Sequence, residues 1–228
     1  MIASPSRPGC TIVTGPARSG KSDRAEQLAA ASGRSVVYVA TSQVDPADRE
    51  WADRVDEHRR RRPAEWTTIE APLDLAEAIA STPIAACVLV DSLGTWVANW
   101  LDRDPEAWQA ACTTLAACLF PDPPIDRSSG DRPRPTSPPQ TSRQIILVAE
   151  ETGWGIVPAY ASGRQFRDRL GRLVRDLAAR ADRVELVVAG WAIDLRSIAQ
   201  AVINPATDRN SHECKNVSTT TDQPKKWV

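Results

Sequence analysis

Residues 10–33 read CTIVTGPARSGKSDRAEQLAAASG, and this stretch decides the fold. The short apolar run from Cys10 to Thr14 leads directly into GPARSGKS, which satisfies the pattern G-x-x-x-x-G-K-[ST]. A helical pattern follows and stops at Gly33. Next comes SVVYVA, from Ser35 to Ala40, which is typical of a buried parallel strand. Strand, helix and strand in this order predict a βαβ unit with a phosphate-binding loop.

The loop has the residue types that bind the phosphates of ATP or GTP. Its members are Gly15, Pro16, Ala17, Arg18, Ser19, Gly20, Lys21 and Ser22. Glycines let backbone N–H groups point at phosphates, and the start of the next helix adds a dipole that favours anions. We expect Lys21 to neutralise the β- and γ-phosphates and Ser22 to ligate Mg²⁺. A chance match is the alternative, but the flanking strand and helix favour a true phosphate-binding loop.

The rest of the chain alternates strand and helix patterns, which predicts an α/β fold. Strands are expected at 66–69, 86–90, 144–149 and 184–188, the last of which closes the set. Helices are expected at 45–61, 74–80, 93–101, 105–119 and around 166–181.

Two segments have no apolar pattern. Residues 121–143 contain seven prolines and few apolar side chains, so they cannot pack a core. Residues 205–228 are polar and aperiodic. We therefore predict one nucleotide-binding domain over 9–204, with a disordered proline-rich insertion at 121–143 and a disordered tail at 205–228.

Composition and charge exclude several classes of protein. The formal charge of −1 over 228 residues argues against nucleic acid or an anionic membrane as a partner. No apolar run approaches the length of a membrane span, and MIASPSRPGC lacks the apolar stretch of a signal peptide. Five cysteines without a C-x-x-C pair fit neither a disulfide framework nor a zinc site. We expect a cytoplasmic protein that acts on small molecules.

Asp91 follows the apolar run CVLV at the end of a predicted strand. Enzymes with this loop commonly place an acidic residue there to hold Mg²⁺ or its water shell. The alternative is a carboxylate that caps the helix predicted from Leu93. With the phosphate loop upstream, the metal role is favoured.

His58 is followed by Arg59, Arg60, Arg61 and Arg62, and the run ends at a proline. The histidine lies on the apolar face of the predicted helix, so it could be a core or interface residue, and the arginines could be a solvated helix end. Four guanidinium groups beside one imidazole could equally bind a triphosphate while the imidazole attacks phosphorus. The spacing alone leaves both interpretations open.

Four segments together resemble one family, the bifunctional adenosylcobinamide kinase/adenosylcobinamide-phosphate guanylyltransferase. They are TIVTGPARSGKS, VVYVATSQ, RVDEHRRRRPAEWTTIE and ILVAEETGWGIVPAYASGRQFRDRLGRL. The resemblance implies a RecA-like P-loop NTPase fold with a mostly parallel central sheet flanked by helices. It implies an enzyme that uses ATP or GTP with Mg²⁺ to phosphorylate adenosylcobinamide, then attaches GMP from GTP to adenosylcobinamide phosphate. It also implies a homo-oligomer, a trimer in this family.

The resemblance assigns roles to individual residues. His58 matches the histidine that becomes guanylylated. The expected nucleotide contacts are the loop Gly15–Ser22 together with Ala40, Thr41, Ser42, Arg59, Arg60, Arg61, Arg62, Glu70 and Asp91. Glu151 and the loop Gly153–Pro158, held in place by the helix that carries Arg164 and Arg167, are candidates for the corrinoid side; the alternative is a structural turn.

Three positions depart from the family pattern. Pro16 stands where a second glycine is usual, Ala159 replaces a common acidic residue, and Glu150 occupies a position that is often Asn. Two other functions are compatible with the sequence. One is a P-loop kinase of another metabolite; the other is a nucleotide-dependent regulatory module in which Glu150 and Glu151 position a water.

Overall fold

The computed structural model describes residues 9–43, 60, 62–121, 143–200 and 202. Its strands are β1 (Cys10–Gly15), β2 (Val36–Ala40), β3 (Thr67–Glu70), β4 (Cys87–Asp91), β5 (Gln144–Glu150), β6 (Arg183–Val188) and β7 (Trp191–Asp194). Its helices are α1 (Lys21–Ala30), α2 (Leu75–Ser81), α3 (Leu93–Asn99), α4 (Pro105–Leu119), α5 (Ala161–Ala178) and α6 (Leu195–Ile198). The βαβ unit predicted around the phosphate loop is present as β1, α1 and β2.

All strands belong to one sheet in the order β3-β2-β4-β5-β1-β6-β7. Every pairing is parallel except that of β6 with β7. The strand β5 therefore separates β1, which carries the phosphate loop, from β4, which carries Asp91. This is a RecA-like P-loop NTPase fold, and the predicted fold class is confirmed.

The alternation of side chains along the strands builds a core on each face of the sheet. Val13, Tyr38 and Val148 pack on the face that α1 covers. Their neighbours Ile12, Val39 and Leu147 point to the opposite face, where α2, α3, α4 and α5 contribute buried side chains. Because both faces are covered, the central strands bury apolar side chains on both sides, as their sequences predicted.

The prediction that 184–188 is the last strand is wrong. The chain turns back at Ala189 and Gly190, with φ of 52° and 81°, and β7 pairs antiparallel with β6. A two-residue turn with positive φ at both positions matches the twist of a hairpin. Only one of these two residues is glycine, so the usual hairpin signal was incomplete.

Several predictions lie outside the described residues. They are the helix over most of 45–61, the insertion between 122 and 142, and the tail from 205 onward. Arg143, at the boundary of the predicted insertion, donates hydrogen bonds to the carbonyl oxygens of Ala80 and Thr82. No helix in the described parts of the chain is long and apolar enough to cross a membrane.

Candidate nucleotide site

The candidate site lies where the parallel strands end at their carboxyl edge. Ala40 on β2 has Glu70 on β3 and Asp91 on β4 as its Cα partners. On the other side of β4, Gly15 at the end of β1 is the partner of Glu150 at the end of β5. Ligands of open α/β sheets bind outside this edge. The register thus gathers residues from five strands at one edge.

The phosphate loop forms a concave backbone. Arg18 and Gly20 have φ of 57° and 93°, so right- and left-handed conformations alternate along the loop. Such alternation points successive N–H groups to the same side and creates an anion-binding concavity. Gly20 is the N-cap of α1 and makes no side-chain cap. The first N–H groups of the helix therefore remain available to an anion.

Gly15 is required by a close approach of two strands. A Cβ there would collide with the carbonyl oxygen of Val187 on β6 and lie 2.8 Å from Oγ of Ser19. That hydroxyl is buried, and no residue in the described ranges forms a hydrogen bond with it. An unsatisfied buried hydroxyl in a loop of free N–H groups fits a phosphate ligand.

Lys21 begins α1 and folds back over the loop. The residue is only 8% exposed, and its Nζ donates to the carbonyl oxygen of Pro16 at 3.5 Å. A hydrogen bond of that length is weak. The ammonium therefore lies at the concavity without a strong internal partner among the described residues, as phosphate binding requires.

Asp91 is held by a buried tyrosine. The Tyr38 hydroxyl donates to Oδ2 of Asp91 at 2.9 Å. Burial raises the pKa of Tyr38, and the neighbouring carboxylate of Asp91 raises it further, so the hydroxyl stays a donor. No sequence pattern described above singled out Tyr38. The signal was a single tyrosine in an otherwise aliphatic strand, next to a strand that ends in an aspartate.

Arg62 reaches the same cluster. Its guanidinium stacks 3.5 Å from the centre of the Tyr38 ring and donates to Oγ1 of Thr68 at 3.3 Å. Of the other predicted residues in this run, Arg60 is exposed, whereas His58, Arg59 and Arg61 lie outside the described residues. The structure thus connects the end of the arginine run to Asp91 through a tyrosine ring.

Thr41 has a structural role, because its hydrogen bonds join two elements of the fold. It is fully buried, its hydroxyl donates to the carbonyl oxygen of Ser92 at 2.7 Å, and it accepts from the Ser92 N–H at 3.0 Å. Asn99 adds a bond from Nδ2 to the Thr41 carbonyl at 2.8 Å. These bonds fix the end of β2 to both ends of α3, since Ser92 is its N-cap and Asn99 its last residue. A direct contact of Thr41 with a nucleotide stays a prediction. The same holds for the predicted contacts of Ala40 and Ser42, both of which are half-buried.

Two adjacent glutamates at the end of β5 have different surroundings. Oε1 of Glu151 accepts a hydrogen bond from the Thr14 hydroxyl at 2.9 Å. Oε2 of Glu150 is buried, and the described residues provide no hydrogen-bond donor for it. Burial raises the pKa of Glu150; the Ser92 hydroxyl and the Lys21 ammonium lower it, and Asp91 raises it.

A cavity of about 220 Å³ opens between the end of β5 and α5. Its lining includes Glu151, Gly153 and Arg167, all predicted for the corrinoid side. Arg164, also predicted there, donates to the carbonyl oxygens of Pro158 and Ala159 and so holds the loop that contains Gly153–Pro158. The apolar side chain of Ile156 on that loop is 97% exposed.

The family model described as cobinamide kinase / cobinamide phosphate guanyltransferase matches residues 11–124 and 134–195 of this chain. These ranges contain the phosphate loop, the strand ends and the loop before α5.

Relatives match over most of their length. The bifunctional adenosylcobalamin biosynthesis protein CobP of Pseudomonas aeruginosa is 40% identical, over 81% of this chain and 96% of its own. CobU of Escherichia coli, with the same description, is 36% identical, over 81% of this chain and 98% of its own. Among solved structures, an ATPase from a bacterial type III secretion system is similar with a TM-score of 0.48 and 10% identity. That likeness covers 85% of this chain and 59% of the ATPase.

Proposed function

This chain belongs to the cobinamide kinase / cobinamide phosphate guanyltransferase family, and we propose that it phosphorylates adenosylcobinamide and then transfers GMP from GTP to the new phosphate. The observation that carries the proposal is the family match over 11–124 and 134–195, which includes the complete phosphate loop and the strand ends around it. The products would serve cobalamin biosynthesis, the process named for the relatives.

In the kinase step the loop Gly15–Ser22 binds the phosphates of ATP or GTP. The N–H groups of the loop and of the uncapped start of α1 donate to phosphate oxygens, and Lys21 neutralises the charge that develops on the γ-phosphate. The acceptor is the aminopropanol hydroxyl of adenosylcobinamide. Phosphoryl transfer needs little beyond positioning and charge stabilisation, which this loop geometry supports.

The first turn of α1 and the end of β4 carry side chains that fit Mg²⁺. Ser22 offers a hydroxyl and Asp91 a carboxylate, the hard oxygen donors this ion prefers, and Tyr38 holds Oδ2 of Asp91 in place. Mg²⁺ commonly takes one or two protein ligands and completes its shell with phosphate oxygens and water. When bound it would neutralise phosphate charge.

In the transferase step His58 attacks the α-phosphorus of GTP, and pyrophosphate leaves. Adenosylcobinamide phosphate then displaces GMP from the imidazole nitrogen, which regenerates the free histidine. Arg59–Arg62 stabilise the triphosphate, with Arg62 close to Asp91 through Tyr38. Glu70, Ala40 and Asp91 share one row of the sheet, which supports a common nucleotide surface.

The same proposal covers the cellular location and the oligomeric state of the enzyme. The described cysteines Cys10, Cys87, Cys112 and Cys118 are free thiols, which supports a reducing cytoplasm. We expect a homo-oligomer, a trimer by similarity. Trp191 on the edge strand β7 is 79% exposed, and an exposed apolar edge favours association with another subunit. A monomer mass measured by light scattering of the purified protein would contradict the expected oligomer.

The test of the proposed transferase is a labelling experiment. Purified protein is incubated with α-labelled GTP and Mg²⁺, and acid-labile, base-stable label on the protein is measured for wild type, His58→Ala and His212→Ala. Since His58 and His212 are the two histidines of the chain, the second variant is a matched control. Label in wild type and His212→Ala but not in His58→Ala is expected. Unlabelled wild type that still phosphorylates adenosylcobinamide would reduce the function to a kinase.

A further inference from the structure

The turn between β6 and β7 lies against the phosphate loop. It consists of Ala189 and Gly190, both of which are exposed and have a left-handed backbone. The N–H of Gly190 donates a hydrogen bond to the carbonyl oxygen of Ser19 at 3.0 Å. Ser19 belongs to the phosphate loop, whereas Gly190 lies after the last parallel strand. The turn therefore contacts the loop from outside the sequence motif.

The end of β6, just before this turn, packs on the same loop. A Cβ added to Gly20 would lie 3.8 Å from Cα of Gly190 and 4.0 Å from Cγ1 of Val187. A Cβ added to Gly15 would collide with the carbonyl oxygen of Val187. The end of β6 and its turn thus contact both glycines of the G-x-x-x-x-G motif.

The hydrogen bond at Ser19 sets the direction of one N–H group in the loop. The carbonyl of Ser19 and the N–H of Gly20 belong to one planar trans peptide unit, in which the two groups point in opposite directions. Because Gly190 holds the carbonyl, the N–H of Gly20 is directed away from the turn. The described residues supply no acceptor for that N–H. It is therefore available to a phosphate oxygen.

A second carbonyl of the loop is also held by another element, but it orients no donor. The carbonyl oxygen of Gly15 accepts a hydrogen bond from the N–H of Glu151 at 2.9 Å. The peptide unit that follows leads to Pro16, which has no N–H. Within the described ranges, the contact from Gly190 is thus the hydrogen bond by which a distant element orients a donor of the loop.

We propose that Gly190 is a positioning residue for nucleotide binding, because its left-handed backbone holds the Ser19 carbonyl so that the Gly20 N–H faces the polyphosphate. This inference rests on the nucleotide-binding part of the proposed function and adds a residue from outside the motif. Glycine adopts a left-handed φ without strain, asparagine tolerates it, and a β-branched residue is strained there. The backbone conformation at position 190 therefore controls the affinity for a nucleoside diphosphate or triphosphate.

The experiment measures the Kd of ADP in excess Mg²⁺ by isothermal titration calorimetry for the full chain, as wild type, Gly190→Val and Gly190→Asn. Valine disfavours a φ of 81°, so the turn shifts and fewer molecules keep the bond to Ser19. The apparent Kd rises as the fraction of binding-competent molecules falls. We expect a Kd about 10-fold higher in Gly190→Val and within about 2-fold of wild type in Gly190→Asn.

Gly33 offers a matched control. Its φ is 68°, it is exposed, and nothing lies within 4 Å of an added Cβ, as at Gly190. It follows the far end of α1, roughly 15 Å along the helix from the phosphate loop. Gly33→Val therefore introduces the same kind of backbone strain without a contact to the loop. It should lower the melting temperature as Gly190→Val does, but leave the Kd within about 2-fold of wild type.

Several results would overturn the inference. They are a Kd of Gly190→Val within about 3-fold of wild type, an equal rise in Gly33→Val, and an equal rise in Gly190→Asn, because each separates affinity from the backbone at position 190. If circular dichroism shows that Gly190→Val is unfolded, Gly190→Ala and Gly33→Ala replace the valine variants. Gly190→Ala should then raise the Kd by about 5-fold, and a value within about 2-fold of wild type would overturn the inference.

The same titrations separate this inference from the proposed function. A wild type that binds no ADP in the presence of Mg²⁺ would refute the nucleotide-binding part of the proposed function. A wild type that binds ADP beside a Gly190→Val variant that binds it equally well would refute the role of Gly190 alone.

Discussion

Replacing Arg24 with methionine would leave the buried carboxylate of Glu185 with one guanidinium partner instead of two. Arg24 lies in the first turn of α1, two residues after the phosphate loop, and Glu185 lies on β6 beneath it. Arg24 donates two hydrogen bonds, from Nε at 2.8 Å and from Nη2 at 3.0 Å. Arg183, the second partner, lies 2.6 Å from Oε1. The network fastens the phosphate-loop helix to the sheet.

The expected loss follows from burial. Glu185 is 1% exposed, and breaking a fully buried ion pair typically costs about 3–5 kcal/mol because a buried charge loses its partner. Here Arg183 remains, and the Arg24 side chain is 30% exposed. We therefore expect Arg24→Met to lower the free energy of unfolding by about 2 kcal/mol. For a domain of this size that corresponds to a melting temperature lower by about 4–8 °C.

The assay is urea unfolding of wild type, Arg24→Met, Glu185→Gln and the double variant. The double-mutant cycle isolates the Arg24–Glu185 interaction from the other effects of each substitution. Arg175→Met is the matched control, since Arg175 pairs with Asp176 at 3.4 Å and their side chains are 63% and 65% exposed. Such an exposed pair should contribute less than about 0.5 kcal/mol. A coupling energy for Arg24 and Glu185 no larger than that would refute the reasoning from burial.

Three further predictions concern the site and the core. Lys21→Ala should lower turnover by about 10²-fold or more because a preorganised charge at the γ-phosphate is lost. Turnover near that of wild type in a steady-state assay would contradict the role of Lys21. The variant Lys21→Arg tests whether a positive charge alone is sufficient. Tyr38→Phe removes the 2.9 Å hydrogen bond to Asp91, so half-maximal activity should need about 10-fold more Mg²⁺. The Mg²⁺ concentration needed for nucleotide binding should rise in parallel. An unchanged Mg²⁺ titration would show that Tyr38 does not position Asp91. Burial raises the pKa of the Cys10 thiol to about 12, so the thiol stays protonated in the folded protein while it ionises in the unfolded chain. Its contribution to stability is therefore complete below the unfolded pKa and is lost as pH rises toward 12, by up to about 1.4 kcal/mol per pH unit. Unfolding free energies at pH 8, 9 and 10 should fall less steeply for Cys10→Ala, and equal slopes would contradict the assignment.

Much of the fold followed from local patterns in the sequence. The phosphate loop, the βαβ unit and the strand that ends at Asp91 were predicted because apolar runs and turn residues act over a few neighbouring positions. The same locality explains the error at β7. Its residues, WAID, form a short segment with little apolar alternation, and pairing with β6 stabilises it as a strand.

The candidate site was predicted only in part. Sequence located Lys21, Ser22 and Asp91, because each stands at a fixed place relative to a strand or a motif. It left open whether the arginines form a solvated helix end or bind a triphosphate, and it did not predict that Arg62 stacks on Tyr38. It also treated Glu150 and Glu151 as equivalent carboxylates. In the structure Glu151 accepts a hydrogen bond from Thr14, whereas the described residues supply no donor for Oε2 of Glu150.

The sequence by itself determined that this chain has a P-loop and which strand ends carry the polar groups. Only the tertiary structure decided which of those groups meet. Tyr38 and Asp91 are 53 positions apart, Thr14 and Glu151 are 137 apart, and Arg24 and Glu185 are 161 apart. These pairs depend on the order of strands in the sheet, in which β1 lies between β5 and β6 rather than beside β2. That order is set by the simultaneous burial of both faces of the sheet, a global property that no local pattern encodes.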